Sequence, residues 1–270
     1  MKRSIKSFEN TKNYSSKIDS YFSSFDDILF RVISLNQPII FVEIGVRDGG
    51  SLEMWKDYLP EGSRIIGIDN NPIAKHFESD QFEIFIGDQA DEKFWNNFFL
   101  KVGNVDIIID DGGHTNIQQL KTLLLTINHI NDGGMLIIED THASYLRTFS
   151  NPSKYSFIRY AYNLVDRMNY RYSLLSLKNN YLDLPIYRIS FFESLCVFYI
   201  DKKRSNISHK VDNGGITINS EDYRYHSEKI EKIKKKFAFF KYIPFSRTLV
   251  SYFVKKQNIL ENIKMKKYFK

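Results

Sequence analysis

Cysteine is nearly absent: the 270 residues contain one, Cys196. A single thiol cannot close an intramolecular disulfide, which excludes the small stapled secreted fold and favours a reducing compartment. It sits in Leu195-Cys196-Val197-Phe198, an apolar run in which a buried, inert thiol is the ordinary reading. Long apolar runs are lacking as well. No uncharged apolar stretch approaches the ~20 residues that cross a bilayer. Residues 7–20, behind the basic start Met1-Lys2-Arg3, are too polar to form the core of a secretory signal. The expectation is a cytoplasmic protein. Internal repeats and low-complexity tracts are also missing. Hydrophobic residues at 43% and charged residues at 26% describe a chain that folds by burying apolar surface, which excludes wholesale disorder, collagen and coiled coil.

The net charge of +6 is unevenly spread. From Arg224 to Lys270 there are 14 Lys and Arg against 3 Asp and Glu; of the totals of 38 and 32, residues 1–223 keep 24 against 29. An acidic body argues against a nucleic-acid partner. The tail mixes cations and aromatics in Lys229–Lys236, Phe237-Ala238-Phe239-Phe240 and Lys264–Lys267. One reading is peripheral contact with an anionic surface at the inner membrane face or with a lipid-linked glycan. The other is a solvated helical face or the contact of a homo-oligomer.

Residues 1–19 are polar without a sustained period and read as a loose arm. Apolar residues from Phe22 to Ile33 follow helical spacing, which predicts a helix over 21–35, closed by Asn36-Gln37-Pro38. Residues 1–37 are thus an N-terminal arm and helix. Next come near-continuous apolar runs at 39–44, 64–69, 82–87, 105–110 and 134–139, with helix-length segments at 52–59, 91–101 and 115–130 between them. Such runs suit a parallel sheet covered on both faces. Its ligand crevice lies at the carboxyl ends of the strands. A helix over 155–168 and a hairpin of 188–192 with 195–200 follow. Residues 38–203 form the predicted binding and catalytic domain. Residues 204–270 form a basic, mainly helical extension with a turn at Asn213-Gly214-Gly215.

The first strand runs Phe41-Val42-Glu43-Ile44-Gly45 and continues through Val46-Arg47-Asp48-Gly49-Gly50-Ser51 into a helix. This is E-x-G-x-x-x-G-G-S, not the G-x-G-x-x-G of dinucleotide-binding turns. Glycines let backbone approach a ligand closely, and a helix N-terminus offers free N–H groups. A carboxylate at Glu43 suits an ammonium group better than a pyrophosphate. Gly67-Ile68-Asp69-Asn70 puts an acid at the next strand tip, where it can grip a ribose diol. Gly87-Asp88-Gln89 suits an adenine amino group. Any one of these acids is as readily a helix N-cap as a ligand; the set of three is the stronger observation. In this set the sequence resembles the class I S-adenosylmethionine-dependent methyltransferases. The resemblance implies a doubly wound, Rossmann-like α/β fold with a seven-stranded mostly parallel sheet. It also implies a cofactor site drawn from Glu43, Gly45, Gly49, Ser51, Asp69, Asn70, Asp88, Gln89 and Asp110.

Two further strand tips read Asp110-Asp111-Gly112-Gly113-His114 and Glu139-Asp140-Thr141-His142. If the strands are neighbours, as in the resembled fold, their tips lie ~5 Å apart and Asp111, Glu139 and Asp140 can converge. Such a cluster requires a cation. Hard oxygen ligands favour Mg²⁺, or Ca²⁺ or Mn²⁺, over Zn²⁺. The imidazole of His114, with an unperturbed pKa near ~6.5, is a usable general base. The bland alternative is that Asp110 and Asp111 cap the next helix while Glu139-Asp140 ends a strand. His142 and Tyr145 are candidates for acceptor contact, with a structural role as the alternative. The pair of motifs resembles the metal-dependent O-methyltransferases of macrolide sugars and bacterial surface-polysaccharide sugars, whose D-D-G-S-H is followed by E-D. That resemblance implies metal ligation by Asp111, Glu139 and Asp140 and a base at His114. Gly113 stands where the family usually has Ser, which removes a hydroxyl and loosens the turn.

The implied acceptor is a hydroxyl of a sugar or sugar nucleotide. A non-sugar diol or amine acceptor on the same fold is the alternative, and an NAD(P)-dependent reductase is a more distant one. Residues 146–187, rich in Tyr and Arg, read either as a substrate lid or as aromatic packing.

Overall fold

A computed structural model describes residues 3–149, 154–172 and 182–216, with positions 232, 235, 259, 263, 265, 266 and 268. The chain divides into two compact units, Met1–Lys210 and Val211–Lys270. In the second, Gly214 takes a positive φ of 64° in the expected turn, and Lys232, Lys235, Ile259, Ile263, Met265 and Lys266 are helical. The rest of the extension expected to be helical and basic lies outside the described residues.

The first unit is built on seven strands: β1 (Ile40–Ile44), β2 (Arg64–Asp69), β3 (Phe82–Ile86), β4 (Val105–Asp110), β5 (Ile130–Ile138), β6 (Ile186–Phe192) and β7 (Leu195–Ile200). Their order is β3-β2-β1-β4-β5-β7-β6. β1 to β5 pair in parallel, and the closing hairpin is antiparallel. The helices are α1 (Ser4–Glu9), α2 (Asp19–Leu35), α3 (Gly50–Tyr58), α4 (Glu92–Val102), α5 (Asn116–Thr126) and α6 (Phe157–Asn169).

Alternate residues of each strand face opposite ways, which explains why the runs are nearly continuous in apolar residues. Val42, Ile66, Ile108, Leu136 and Phe198 meet Trp95 and Phe98 of α4, Leu123 of α5 and Leu164 of α6. Phe41, Ile65, Ile107, Ile137 and Val197 meet Phe25 and Leu29 of α2 and Leu52 and Trp55 of α3. α5 starts at a capping box, in which Thr115 accepts from the Gln118 amide and the Gln118 side chain returns to the Thr115 amide. Cys196 is fully buried, and burial pushes its thiol up. No helix among the described residues is long and apolar enough to cross a membrane.

One expectation is corrected. The N-terminal arm is not loose: it contains α1, whose Ser4 hydroxyl donates to the Phe22 carbonyl at 2.8 Å, and an extended strap, residues 10–18, that runs over the carboxyl edge of the sheet. Polar residues conceal this because the strap is fixed by ionic and amide contacts, not by an apolar face. Within 146–187, where a lid or aromatic packing is expected, residues 150–153 and 173–181 lie outside the described residues. α6 buries Phe157, Ile158, Ala161 and Leu164, and Arg171 donates to the carbonyls of Leu182, Leu184 and Ile186, a structural clasp.

Candidate active site

The turn after β1 crosses the tip of β4 so closely that a Cβ on Gly45, whose φ is +97°, would lie 2.1 Å from the Asp111 carbonyl oxygen. Glycine is therefore required there. Asp69, at the end of β2, accepts from the amides of Val46 and Arg47, each at 3.0 Å, and so closes the turn against its own strand. Beside the turn is a cavity of about 440 Å³. Gly45, Ser51, Asp69, Asn70, Asp88 and Gln89 line it, as do Asp111, His114 and Asp140. Tyr14, Ser15 and Ser16 of the strap line it as well. Tyr14 lies under the Arg47 guanidinium, 5.0 Å from its ring centre.

Three of the expected cofactor residues take other places. Glu43 is fully buried behind the turn, where its carboxylate accepts from Ser51 Oγ at 2.7 Å and Trp55 Nε1 at 3.1 Å. Gly49 starts α3 with φ +80°. Asp110 is also fully buried and receives Gln89 Nε2 at 2.9 Å on each oxygen; burial raises its pKa. Gln89 returns its Oε1 to the Gly113 amide at 2.9 Å, which fixes the turn before His114. A Cβ on Gly113 would meet the Gln118 side chain at 2.3 Å. The glycine in place of Ser thus accommodates the glutamine of the α5 capping box.

Because β4 and β5 are neighbours, their tips bring the acids together. At their centre stands a residue the sequence motifs do not flag, Lys17 of the strap. Its Nζ lies 2.6 Å from Asp111 Oδ2, 2.9 and 3.0 Å from the Glu139 oxygens and 3.6 Å from Glu43 Oε1. Its side chain is 1% exposed. Burial lowers the ammonium's pKa, but Asp111, Glu139 and Glu43 together raise it well above the ordinary value. Burial pushes the Glu139 carboxyl well up, Asp111 adds to this and Lys17 opposes it.

Asp140 is held separately. Tyr21 Oη donates to Asp140 Oδ1 at 2.6 Å and accepts from the Asp140 amide at 3.0 Å. Burial and Asp140 both raise the phenol's pKa. His114 Nε2 lies 3.3 Å from Asp140 Oδ2 and 3.9 Å from Asp111 Oδ1, and Nδ1 is buried without a hydrogen-bond partner. One atom from each of Asp111, His114 and Asp140 lies within 4.8 Å of the others, a spacing that can hold a metal ion. Glu139, expected as the third ligand, faces Lys17. His142 Nδ1 is 3.0 Å from Ser194 Oγ and, with Tyr21, Asp111 and Asp140, lines a second cavity of about 300 Å³. Tyr145 is 56% exposed and lines neither cavity.

The residues missed, Lys17 and Tyr21, left one trace. Three convergent acids demand a positive charge, but the sequence does not say which cation supplies it, since Lys17 stands 94 residues before Asp111 and 122 before Glu139.

The strand order and the carboxyl-edge cavity define the class I methyltransferase fold. The solved methyltransferase of the mycinamycin biosynthetic pathway, in complex with Mg, SAH and mycinamycin VI, superposes with a TM-score of 0.60 at 22% identity. The alignment covers 76% of this chain and 54% of that one. In sequence the chain is 34% identical over 117 residues to the mycinamicin VI 2''-O-methyltransferase of Micromonospora griseorubida, which covers 41% of this chain and 29% of the relative. It is 34% identical over 118 residues to a tetracenomycin-C rhamnosyl 3'-O-methyltransferase of Streptomyces olivaceus, covering 41% and 30%. The chain therefore spans about a third of the length of the curated relatives it matches. No family model matches it.

Proposed function

We propose that this chain is an S-adenosylmethionine- and divalent-metal-dependent O-methyltransferase whose acceptor is a sugar hydroxyl. The convergence of Asp111, His114 and Asp140 beside the cavity behind Gly45, Asp69 and Asp88 carries this reading. The names of the similar proteins support the sugar acceptor. We extend the proposal to a surface-polysaccharide or natural-product glycan as the source of that sugar.

The donors fit a hard divalent ion such as Mg²⁺: the carboxylates of Asp111, Glu139 and Asp140 would hold it, with room for water and with the His114 imidazole beside them. When bound, the ion supplies Lewis acidity that lowers a hydroxyl's proton affinity and fixes its direction. The protein does the rest. Asp69 and Asn70 hold the ribose, Asp88 and Gln89 face the adenine, and Ser51 is near the amino-acid end of the cofactor. Tyr14, Ser15 and Ser16 wall that cavity in the metal-free chain. The acceptor enters on the side of His142. His114 Nε2 would take the proton from the acceptor hydroxyl, and S-adenosylmethionine, when bound, would supply the methyl group to that oxygen.

One distance favours a second role for His114. Its Nε2 is as close to Asp140 as a co-ligand would be. His114→Ala separates the two: as a base, it leaves Mn²⁺ affinity unchanged while methyl transfer falls ~10²-fold or more; as a ligand, it loses the affinity too. The reading as a whole is tested by calorimetry and by methyl transfer to a panel of glycosides. S-adenosylhomocysteine binding without NADH binding, together with transfer abolished by EDTA, is the expected result. Tight NADH binding, or transfer to catechols and amines only, overturns it.

A further inference from the structure

We propose that Lys17 is a tethered cation that holds the metal's place in the metal-free protein, and that a divalent ion displaces it together with the strap. This rests on the metal reading above and adds to it how the site is loaded.

The argument begins with space. Asp111 and Glu139 both face Lys17 Nζ, at 2.6 and 2.9 Å. An ion ligated by both carboxylates sits ~2.0–2.6 Å from their oxygens, in the volume the ammonium fills. The two cations exclude each other. Charge then sets the direction of exchange. One ammonium faces three carboxylates, Glu43, Asp111 and Glu139, so the cluster is short of positive charge that a divalent ion supplies.

Lys17 is also the buried anchor of the strap. The other polar ties of this segment lie at the surface: the amides of Lys12 and Asn13 donate to Glu53 at 2.6 and 3.2 Å, and Tyr14 stacks on Arg47, while the Asn13–Tyr14 backbone rests on Gly50 and Ile18 packs on the core at the strap's end. Removing the ammonium from the acids therefore releases the part of the strap that walls the cofactor cavity at Tyr14, Ser15 and Ser16. Metal loading and access to the cofactor cavity become one event.

The test uses the full chain and Mn²⁺ as the probe. Calorimetry compares the wild type with Lys17→Met, and trypsin reads the wild-type strap at Lys12 and Lys17. If the strap vacates the site a tenth of the time or less, wild-type affinity is weakened ~10-fold or more. Lys17→Met is then expected to bind Mn²⁺ at least that much more tightly, and Mn²⁺ is expected to turn a protected strap into a cleaved one. Equal affinities, with the strap protected in both EDTA and Mn²⁺, overturn the exchange while leaving the metal reading intact. No Mn²⁺ binding to either protein overturns the metal reading, and the exchange with it. Lys17→Arg, which keeps a cation on the strap, covers a Lys17→Met chain that fails to fold. It is expected to bind Mn²⁺ no more tightly than wild type, and tighter binding counts against the proposal.

Discussion

Two residues that flank the acid cluster, His114 and Asp140, take positive φ of 54° without being glycine. Such a conformation costs roughly 1–3 kcal/mol and persists only where neighbours enforce it. For Asp140 the enforcing group is Tyr21, whose hydroxyl engages both the side chain and the amide. Partners of a ligating group typically contribute ~10–100-fold to metal affinity. Tyr21→Phe is therefore expected to weaken Mn²⁺ binding by that factor while lowering stability by only about 1 kcal/mol. Titration calorimetry and urea unfolding check the two halves. At Gly113 the opposite logic holds. Gly113→Ser drives a Cβ onto Gln118, and disrupting the capping box is expected to cost about 1 kcal/mol, measured by the same unfolding experiment.

Whole elements were far easier to read than the contacts between them. β2 and β4 have the bounds their apolar runs suggest, because charged residues, Arg64 and Asp69 in one and Asp106 and Asp110 in the other, bracket a buried apolar centre. The strap escaped notice for the converse reason. Nothing between Asn10 and Ile18 repeats with a helical or strand period, and its course is set by Lys17 in the acids and by the lack of a side chain on Gly50. A Cβ on Gly50 would lie 2.3 Å from the Asn13 carbonyl oxygen. Gly50→Ala is thus expected to destabilise the protein by about 1–3 kcal/mol and to expose the strap to trypsin without metal. The acids at the strand tips were legible by type but not by partner, since Glu43 and Asp110 proved to be buried supports of the two turns. A pH effect belongs to this scale too. His129, where β5 begins, stacks on Phe99 of α4 at 4.0 Å, and burial lowers its pKa below the ordinary 6.5. The unfolded chain therefore binds the proton first, and stability falls as pH drops below about 6.5 toward the folded value. His129→Gln is expected to reduce the difference between urea midpoints at pH 7.5 and 5.5.

At the scale of the molecule, the acidic body and the basic tail are separate facts about separate units. The motif-bearing strands, the cavity and the acid cluster all belong to Met1–Lys210. Its sheet is closed by the β6–β7 hairpin, and in that hairpin lies Cys196, completely shielded between β5 and β6. Because the chain has one sulfhydryl and the fold seals it away, a chromogenic disulfide reagent has nothing to react with until β7 leaves the sheet. The appearance of colour therefore counts opening events of the central layer, a clock that requires no label.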